Sequence, residues 1–497
     1  MACVLVSCSA PGEAPGAEAN NAAAGDTRRS SPVGTQQHGA AASQKPADRR
    51  GPPAADATNG EALGGKRLDD VRHVILVTID TLRADQLGVH GGPAQTPVLD
   101  ALARSGWWFR NCISASMLTN PSHASIMTSL YPRDHGVFDN QSGIASGVPT
   151  LAQAAAEAGA STGAVIGFPH LNPNVSNLGQ GFEKVVRATR AERRAPRTSR
   201  VALDLLDTLR AERPHEPVFM WVHYVDPHAP YEPPPSHPPD PVTQPHPTPL
   251  HIARRAAPGF QRHNAWFADA FGRYDSVEAL IHRYVAEIEA TDSGLGELVA
   301  GLRQRGLAAN TAVVVTSDHG ENLGERNLFF HHGGLYRQTV HVPLIVGFPD
   351  GEPVAGPRRV DGLVETVDIA PMVLELLGAQ PWTPMRGRNP TVAFEQRGTF
   401  RRVAHSEHML AQQVAVRTRR TTLIRHRKTS AQFPTYPFEA GRTEWVVNAD
   451  APKIDTASER SVLAEALQRY LVAGLAMQAR PAVNQDRESL RALGYIE

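Results

Sequence analysis

The sequence predicts an α/β protein: a doubly wound, mostly parallel sheet with helices on both faces, followed by a small C-terminal antiparallel α+β subdomain. Three observations carry this. Short, continuous apolar runs rich in β-branched residues alternate with longer helical segments between Val74 and Leu377, as in strands buried on both faces and joined by crossover helices. Acidic and histidine residues follow several of those runs directly, where open α/β sheets collect their ligands. After Met385 the pattern breaks into shorter alternating pieces before one last helical stretch.

In chain order, the opening residues contain Leu5-Val6-Ser7-Cys8, similar to the lipobox of an exported bacterial lipoprotein, whose cysteine receives the lipid. No basic stretch precedes it and the apolar run is short. Read as a lipobox, it implies a lipid anchor in the cell envelope or periplasm; read as a chance match, it leaves a cytoplasmic protein. Residues 10–65 are Ala, Gly, Pro, Ser, Asn and Gln with almost no large apolar side chain. Such a segment buries too little surface to offset the entropy of ordering and reads as a flexible linker. The expected organisation is a signal and linker over 1–69, a catalytic domain over 70–385 and the C-terminal subdomain over 386–497.

Val74–Ile79 opens the ordered part as a strand ending at Asp80. Thr96-Pro97 starts a helix that Gly106 closes, and Thr150 to Gly159 repeats that arrangement. Further strands are predicted at Ala164–Gly167, Val218–Val222, Ala312–Thr316 and Leu344–Val346. Helices are predicted at Ser199–Glu212, Ser276–Gln304 and Asp368–Leu377. Glu232–Phe271 is rich in Pro and His without periodicity and reads as a surface loop. The C-terminal strands are expected at Val403–Ser406, Gln413–Thr418, Thr421–Arg425 and Glu444–Val447, before a helix near Ser461–Leu471.

Composition narrows the function. Lys+Arg and Asp+Glu are both 50, so whole-chain charge gives no argument for a nucleic-acid partner. Three cysteines, Cys3, Cys8 and Cys112, cannot build a disulfide framework and lack zinc-finger spacing. The arginine-rich stretches Arg187–Arg200 and Arg417–Arg427 read as solvated faces or as holders of an anionic substrate tail.

The chemistry centres on Thr119-Asn120-Pro121-Ser122-His123, a loop entering a helix. Thr119 is expected just outside the first turn, near free N–H groups and the positive end of the helix dipole. An oxygen nucleophile attacking an anionic ester is well served there; the alternative is a plain helix cap. Elsewhere Asp80, Asp318-His319-Gly320-Glu321, His223-Tyr224-Val225-Asp226-Pro227-His228 and His331-His332-Gly333-Gly334 fall at strand ends or in the loops beyond them. A single Asp at such an end is usually a turn former. Asp and His side by side, opposite a second Asp, also supply ligands to one divalent cation.

At this point the chain resembles the sulfatase family of the alkaline phosphatase superfamily. Motifs similar to the family's run in order over about Val71 to Gly387: Asp80-Thr-Leu-Arg-Ala-Asp85, Thr96-Pro97-Val-Leu-Asp100, Thr119-Asn-Pro-Ser-His-Ala-Ser125, Tyr131-Pro-Arg-Asp-His-Gly136, Asp226-Pro-His-Ala-Pro-Tyr231, Thr316-Ser-Asp-His-Gly320, Tyr336 to Pro343 and Asp368-Ile-Ala-Pro371, with a family-like ending at Leu490–Tyr495. The departures matter as much. Formylglycine sulfatases carry Cys or Ser in a C/S-x-P-S-R pattern, which is oxidised to an aldehyde hydrate. Here the position is Thr119 and the arginine is His123. A threonine cannot become formylglycine, because its carbinol carbon carries a methyl group. The family's Gly-Lys-x-His resembles Gly167-Phe168-Pro169-His170, so that lysine is Phe168; a second lysine is His332, and the second Asp of the Asp-Asp pair is Thr81.

These departures imply an unmodified Thr nucleophile activated by metal, as in the phosphodiesterase and phosphotransferase branches of the superfamily. The resemblance assigns Asp80, Thr119, Asp318 and His319 to a first metal, with Asp226, His228 and His332 as second-metal or substrate contacts. A His-rich set favours Zn²⁺ or Mn²⁺ over Ca²⁺ or Mg²⁺. His228 is the expected proton donor to the leaving oxygen, and His123 is expected either to bind the oxyanion or to sit on the surface. The substrate is expected to be a small anionic ester, most simply a phosphate mono- or diester. Two alternatives stand: sulfate-ester hydrolysis without formylglycine, and a non-catalytic binding protein on a degenerate fold.

Overall fold

A computed structural model of the chain describes residues 70–189, 194–244, 273–274, 276–354, 358–391, 400–408, 413–426, 443–447, 456–472 and 480–481. The lipobox, the linker and the Leu490–Tyr495 ending lie outside the described residues, as does most of the Glu232–Phe271 insertion. Among the described residues no helix is long and apolar enough to cross a membrane.

The principal strands are β1 (His73–Ile79), β2 (Trp107–Ile113), β3 (Ser161–Val165), β4 (Lys184–Val186), β5 (Val218–Tyr224), β6 (Thr311–Ser317), β7 (His341–Gly347) and β8 (Arg359–Glu365). They form one eight-stranded sheet in the order β8-β2-β7-β6-β1-β5-β3-β4. Every pairing is parallel except those of β7, which runs antiparallel to both β6 and β2. The principal helices are α1 (Pro97–Ser105), α2 (Thr119–Thr128), α3 (Leu151–Glu157), α4 (Ala195–Glu212), α5 (Val277–Gln304), α6 (Ile369–Leu376) and α7 (Thr456–Val472).

Side-chain alternation along β1 explains the two layers. Val74 and Leu76, with Trp221 and Val314 of neighbouring strands, pack under α2, α3 and α6. Ile75, Val77 and Ile79 pack on the opposite side with residues of α1, α4 and α5. Both faces are therefore covered, as a parallel sheet requires. On the α2 side the apolar series of β1 gives way to Thr78 and then Asp80, so alternation that built the core also delivers polar groups to its carboxyl end.

The predicted strands and helices are all present, with boundaries shifted by a few residues. Strands β2, β4 and β8 were not predicted. In β2 the apolar pattern is broken by Arg110 and Asn111, and β8 reads Arg-Val-Asp-Gly-Leu-Val-Glu; both lie toward the β8 edge, where charged positions are tolerated in solvent.

The C-terminal strands β9 (Ala404–His408), β10 (Gln413–Arg417), β11 (Thr421–His426) and β12 (Thr443–Val447) make an antiparallel sheet in sequential order. One face lays Ala404, Ala415 and Ile424 on Ile113, Met117 and Leu335. The other packs Val414, Val416 and Leu423 against Leu463, Leu467 and Tyr470 of α7. The sheet is also anchored by hydrogen bonds, since Glu407 N–H donates to Ala115 O (2.8 Å) and Ser406 Oγ–H to Ser114 O (2.6 Å). That contact places it beside the segment leading into Thr119.

Candidate active site

Thr119 is the first residue of α2, with Leu118 in the capping position. This corrects the expectation that Thr119 lies outside the helix: its backbone is helical, and its hydroxyl is left for chemistry rather than for capping. The whole of α2 is buried, polar residues included. Ser122 Oγ–H donates to Ser116 O (2.9 Å), which helps fold the approach to the helix.

Asp80 and Asp318 leave the ends of β1 and β6, which are paired in parallel register. Thr81 turns the chain between them in the left-handed region, φ 56°, a conformation costing a β-branched residue roughly 1–3 kcal/mol. The turn aims the Thr81 N–H at Asp318 Oδ1 (3.2 Å), and Tyr284 Oη–H donates to Thr81 O (2.7 Å). His319 is fixed by its own neighbours. Because a carbonyl can only accept, Nδ1–H donates to Gly320 O (3.0 Å), and Nε2 keeps its lone pair.

That Nε2 lies 3.5 Å from Thr119 Oγ1, 3.4 Å from Asp318 Oδ2 and 3.9 Å from Asp80 Oδ1. Asp80, Asp318 and His319 can each place one donor atom within 4.8 Å of the others, and all three are buried. Two donors on one ion, each ~2.1 Å from it, sit about 3–4 Å apart, so these spacings fit a shared divalent cation. Burial pushes the Asp318 carboxyl up to about 6, against the smaller opposing pull of His123. Burial also lowers His319 to about 4 and so keeps it neutral. Asp318 Oδ2 makes no hydrogen bond among the described residues. Two buried carboxylates this close to one neutral imidazole are a strained arrangement without a cation and a serviceable ligand set with one.

His123 is neither at the surface nor open to an oxyanion. It is fully buried, and both ring nitrogens are engaged. Nδ1–H donates to Thr119 O (2.8 Å), while Trp221 Nε1–H donates to Thr78 Oγ1 (2.9 Å), whose own hydroxyl donates to His123 Nε2 (3.0 Å). The chain of donors holds the backbone of Thr119 from beneath. Asp226 is likewise committed elsewhere: Oδ1 pairs with Arg194 (2.6 Å) and Oδ2 accepts from Ala195 N–H (2.9 Å) at the start of α4. Arg194 also meets Glu287 of α5 (2.9 Å), so Asp226 braces the loop carrying His228 instead of ligating.

His228 donates Nδ1–H to Ala229 O (2.6 Å), and burial lowers its pKa to about 4. Its ring lies 5.2 Å from that of Phe168, which stands in the lysine position and also packs on His170 (4.9 Å). His332 lies 4.4 Å from His319 and 6.2 Å from His228, ring to ring, and its Nδ1 has no hydrogen-bond partner among the described residues. His332 thus lies between the rings of His319 and His228, in contact range of both.

Sequence alone gives one residue no role beyond membership of a strand-end cluster. His223, on β5, pairs in register with Thr78 and places Nε2 3.6 Å from Asp80 Oδ2. The register, which puts Thr78, Asp80 and His223 on the α2 side, was the missing information.

A sequence profile of the Sulfatase family matches residues 72–379, and the chain belongs to that family of ester hydrolases. It is 24% identical over 394 residues to an arylsulfatase of Clostridium perfringens, covering 68% of this chain and 81% of that one. Among solved structures it is similar to one in complex with its substrate D-glucosamine-2-N,6-O-disulfate (TM-score 0.63, 19% identity, 81% of this chain and 98% of that one). It is also similar to a phosphonate monoester hydrolase of Agrobacterium radiobacter (TM-score 0.59, 19% identity, 81% and 95%). At such identities the structural likeness speaks for the fold.

Proposed function

We propose that the chain is a metal-dependent hydrolase or transferase of phosphate or phosphonate esters that uses Thr119, unmodified, as nucleophile. The observation that carries this is Thr119 Oγ1 3.5 Å from His319 Nε2, beside a buried Asp80–Asp318–His319 set. A divalent cation on those residues would lower the pKa of the hydroxyl and neutralise charge on the phosphoryl oxygens. Thr119, its hydroxyl proton released to solvent, attacks the phosphorus in line through Oγ1, the ester P–O bond breaks, and a phospho-threonine remains. The α2 N-terminus offers backbone N–H groups to the transferring anion. His228 takes its second proton when an anionic ester lies beside it and passes it to the leaving oxygen. Its emptied Nε2 then accepts a proton from the water or alcohol that releases Thr119.

Sulfate-ester hydrolysis is the second reading, favoured by the names of the relatives; against it stand Thr119, Phe168 and His332. A non-catalytic role does not account for the convergence of Asp80, Asp318, His319 and Thr119. The deciding assay compares p-nitrophenyl sulfate, p-nitrophenyl phosphate and bis-p-nitrophenyl phosphate on metal-loaded wild type and Thr119→Ala. Phosphoester turnover that requires Thr119, with sulfate slower, supports the proposal; dominant sulfate turnover sinks it. The lipobox-like Leu5–Cys8 stretch supports envelope anchoring, which labelling of Cys8 with radioactive palmitate would test.

A further inference from the structure

We propose that His223 is itself a metal ligand, its Nε2 joining Asp80 Oδ2 in the donor set; the inference deepens the metal-dependent reading above and rests on it. His223 is fully buried, and neither ring nitrogen has a hydrogen-bond partner among the described residues. A buried polar group left so costs about 1–3 kcal/mol, and such exceptions call for a compensating partner. Asp80 lies between two imidazoles, with Oδ1 3.9 Å from His319 Nε2 and Oδ2 3.6 Å from His223 Nε2. The second distance matches two donors flanking one ion, about 3–4 Å apart; His223 stands outside the 4.8 Å set of Asp80, Asp318 and His319 and reaches it through Asp80 Oδ2.

The surroundings hold the ring in that attitude. His123 meets it edge-on at 5.1 Å between centroids, 68° between planes. Since both nitrogens of His123 are hydrogen-bonded, His223 is the imidazole of this pair left with a donor to offer. Gly167 permits the close approach: a Cβ there would stand 2.6 Å from His223 O and 3.3 Å from its Nδ1. The chemistry also accounts for Thr81. Where the family pattern has a second carboxylate, this chain has a hydroxyl, and a neutral nitrogen on the adjacent strand replaces the missing donor. Exchanging a carboxylate for an imidazole moves preference from Ca²⁺ and Mg²⁺ toward Zn²⁺, Mn²⁺ or Co²⁺.

The test loads the full chain with Co²⁺, using wild type, His223→Gln, His223→Asn and Asp318→Asn. Bound cobalt per chain, affinity in competition with a chromophoric chelator, and the number of solvent-exchangeable, hyperfine-shifted imidazole N–H resonances are recorded. The expected result is one such resonance fewer in His223→Gln and His223→Asn than in wild type, with affinity reduced at least about tenfold. An unchanged number of resonances overturns the proposal even if affinity falls, because His223 would then act only as a hydrogen-bond donor to Asp80. Loss of cobalt in Asp318→Asn alongside unchanged His223 variants leaves the metal centre standing and removes His223 from it. Wild type that takes up no cobalt overturns both.

Discussion

Two buried polar clusters lie a short way apart in this molecule and are built on opposite principles. Where the C-terminal sheet meets the main one, the buried carboxylates are matched. Glu365 accepts from Tyr131 Oη–H (3.0 Å) and His405 N–H (2.6 Å) and pairs with Arg401 (2.8 Å), which also holds Asp368. Arg133 and Glu407 form a second matched pair (2.6 Å). At the carboxyl ends of β1, β5 and β6, Asp318 Oδ2 and both nitrogens of His223 lack hydrogen-bond partners among the described residues. The first cluster is complete as folded and joins two parts of the chain. The second leaves buried hydrogen-bonding capacity unused among the described residues, which is what marks it as a candidate binding site.

Breaking each cluster should therefore give opposite results. Thr119→Ala is expected to lower kcat at least about a thousandfold while leaving the denaturation midpoint within error, measured by steady-state kinetics and urea unfolding. An active Thr119→Ala protein would erase the distinction.

Arg401→Met should do the reverse. It strands two buried carboxylates, with an expected loss of about 3–5 kcal/mol of stability in urea unfolding. Activity per folded molecule should persist below the midpoint. An unchanged midpoint would mean the matched cluster is not what holds the two sheets together.

The candidate-site carboxylate Asp318 sharpens the contrast through pH. Asp318 titrates at about 6 in the folded chain, against about 4 when unfolded. Between those values the folded chain holds a proton that the unfolded chain has released. The Asp318 contribution to the stability of the metal-free protein therefore falls by up to about 3 kcal/mol as pH rises from 4 to 6, and stays low above. Asp318→Asn should flatten that slope in thermal unfolding followed across pH, and added Zn²⁺ or Mn²⁺ should oppose it in wild type only.

The smallest expected effect concerns Arg417, buried on the inner face of the C-terminal sheet. Nη2–H donates to Leu335 O (3.0 Å), while Nε and Nη1 have no partner among the described residues. Burial, aided by nearby Arg337, lowers its pKa to about 9. An unmatched buried cation is a liability, so Arg417→Met should be neutral or stabilising by about 1–2 kcal/mol in urea unfolding. A loss as large as that for Arg401→Met would show that burial alone, and not pairing, sets the cost at this junction.

Much of the molecule was legible in one dimension. The β-branched runs named the central strands because a strand covered on both faces has no polar side to confuse the pattern. Asp80, Thr119, Asp318 and His319 could be picked out because strand ends and helix starts are where such residues do chemistry, and the family resemblance tied them together. Strands β2 and β8, at one edge, carry charges and escaped the pattern.

What tertiary structure alone decided was the partner of each polar group. His123, Asp226 and His223 are equally plausible site residues as letters in a sequence. Parallel register between β1 and β5 brought His223 to Asp80, a hydrogen-bonded Trp221–Thr78 relay committed His123 to supporting α2, and Arg194 committed Asp226 to α4. Sequence spacing sets which face a side chain takes, but contacts between segments far apart in the chain set whether its hydrogen-bonding capacity is already filled. The functional candidates are the buried groups for which it is not.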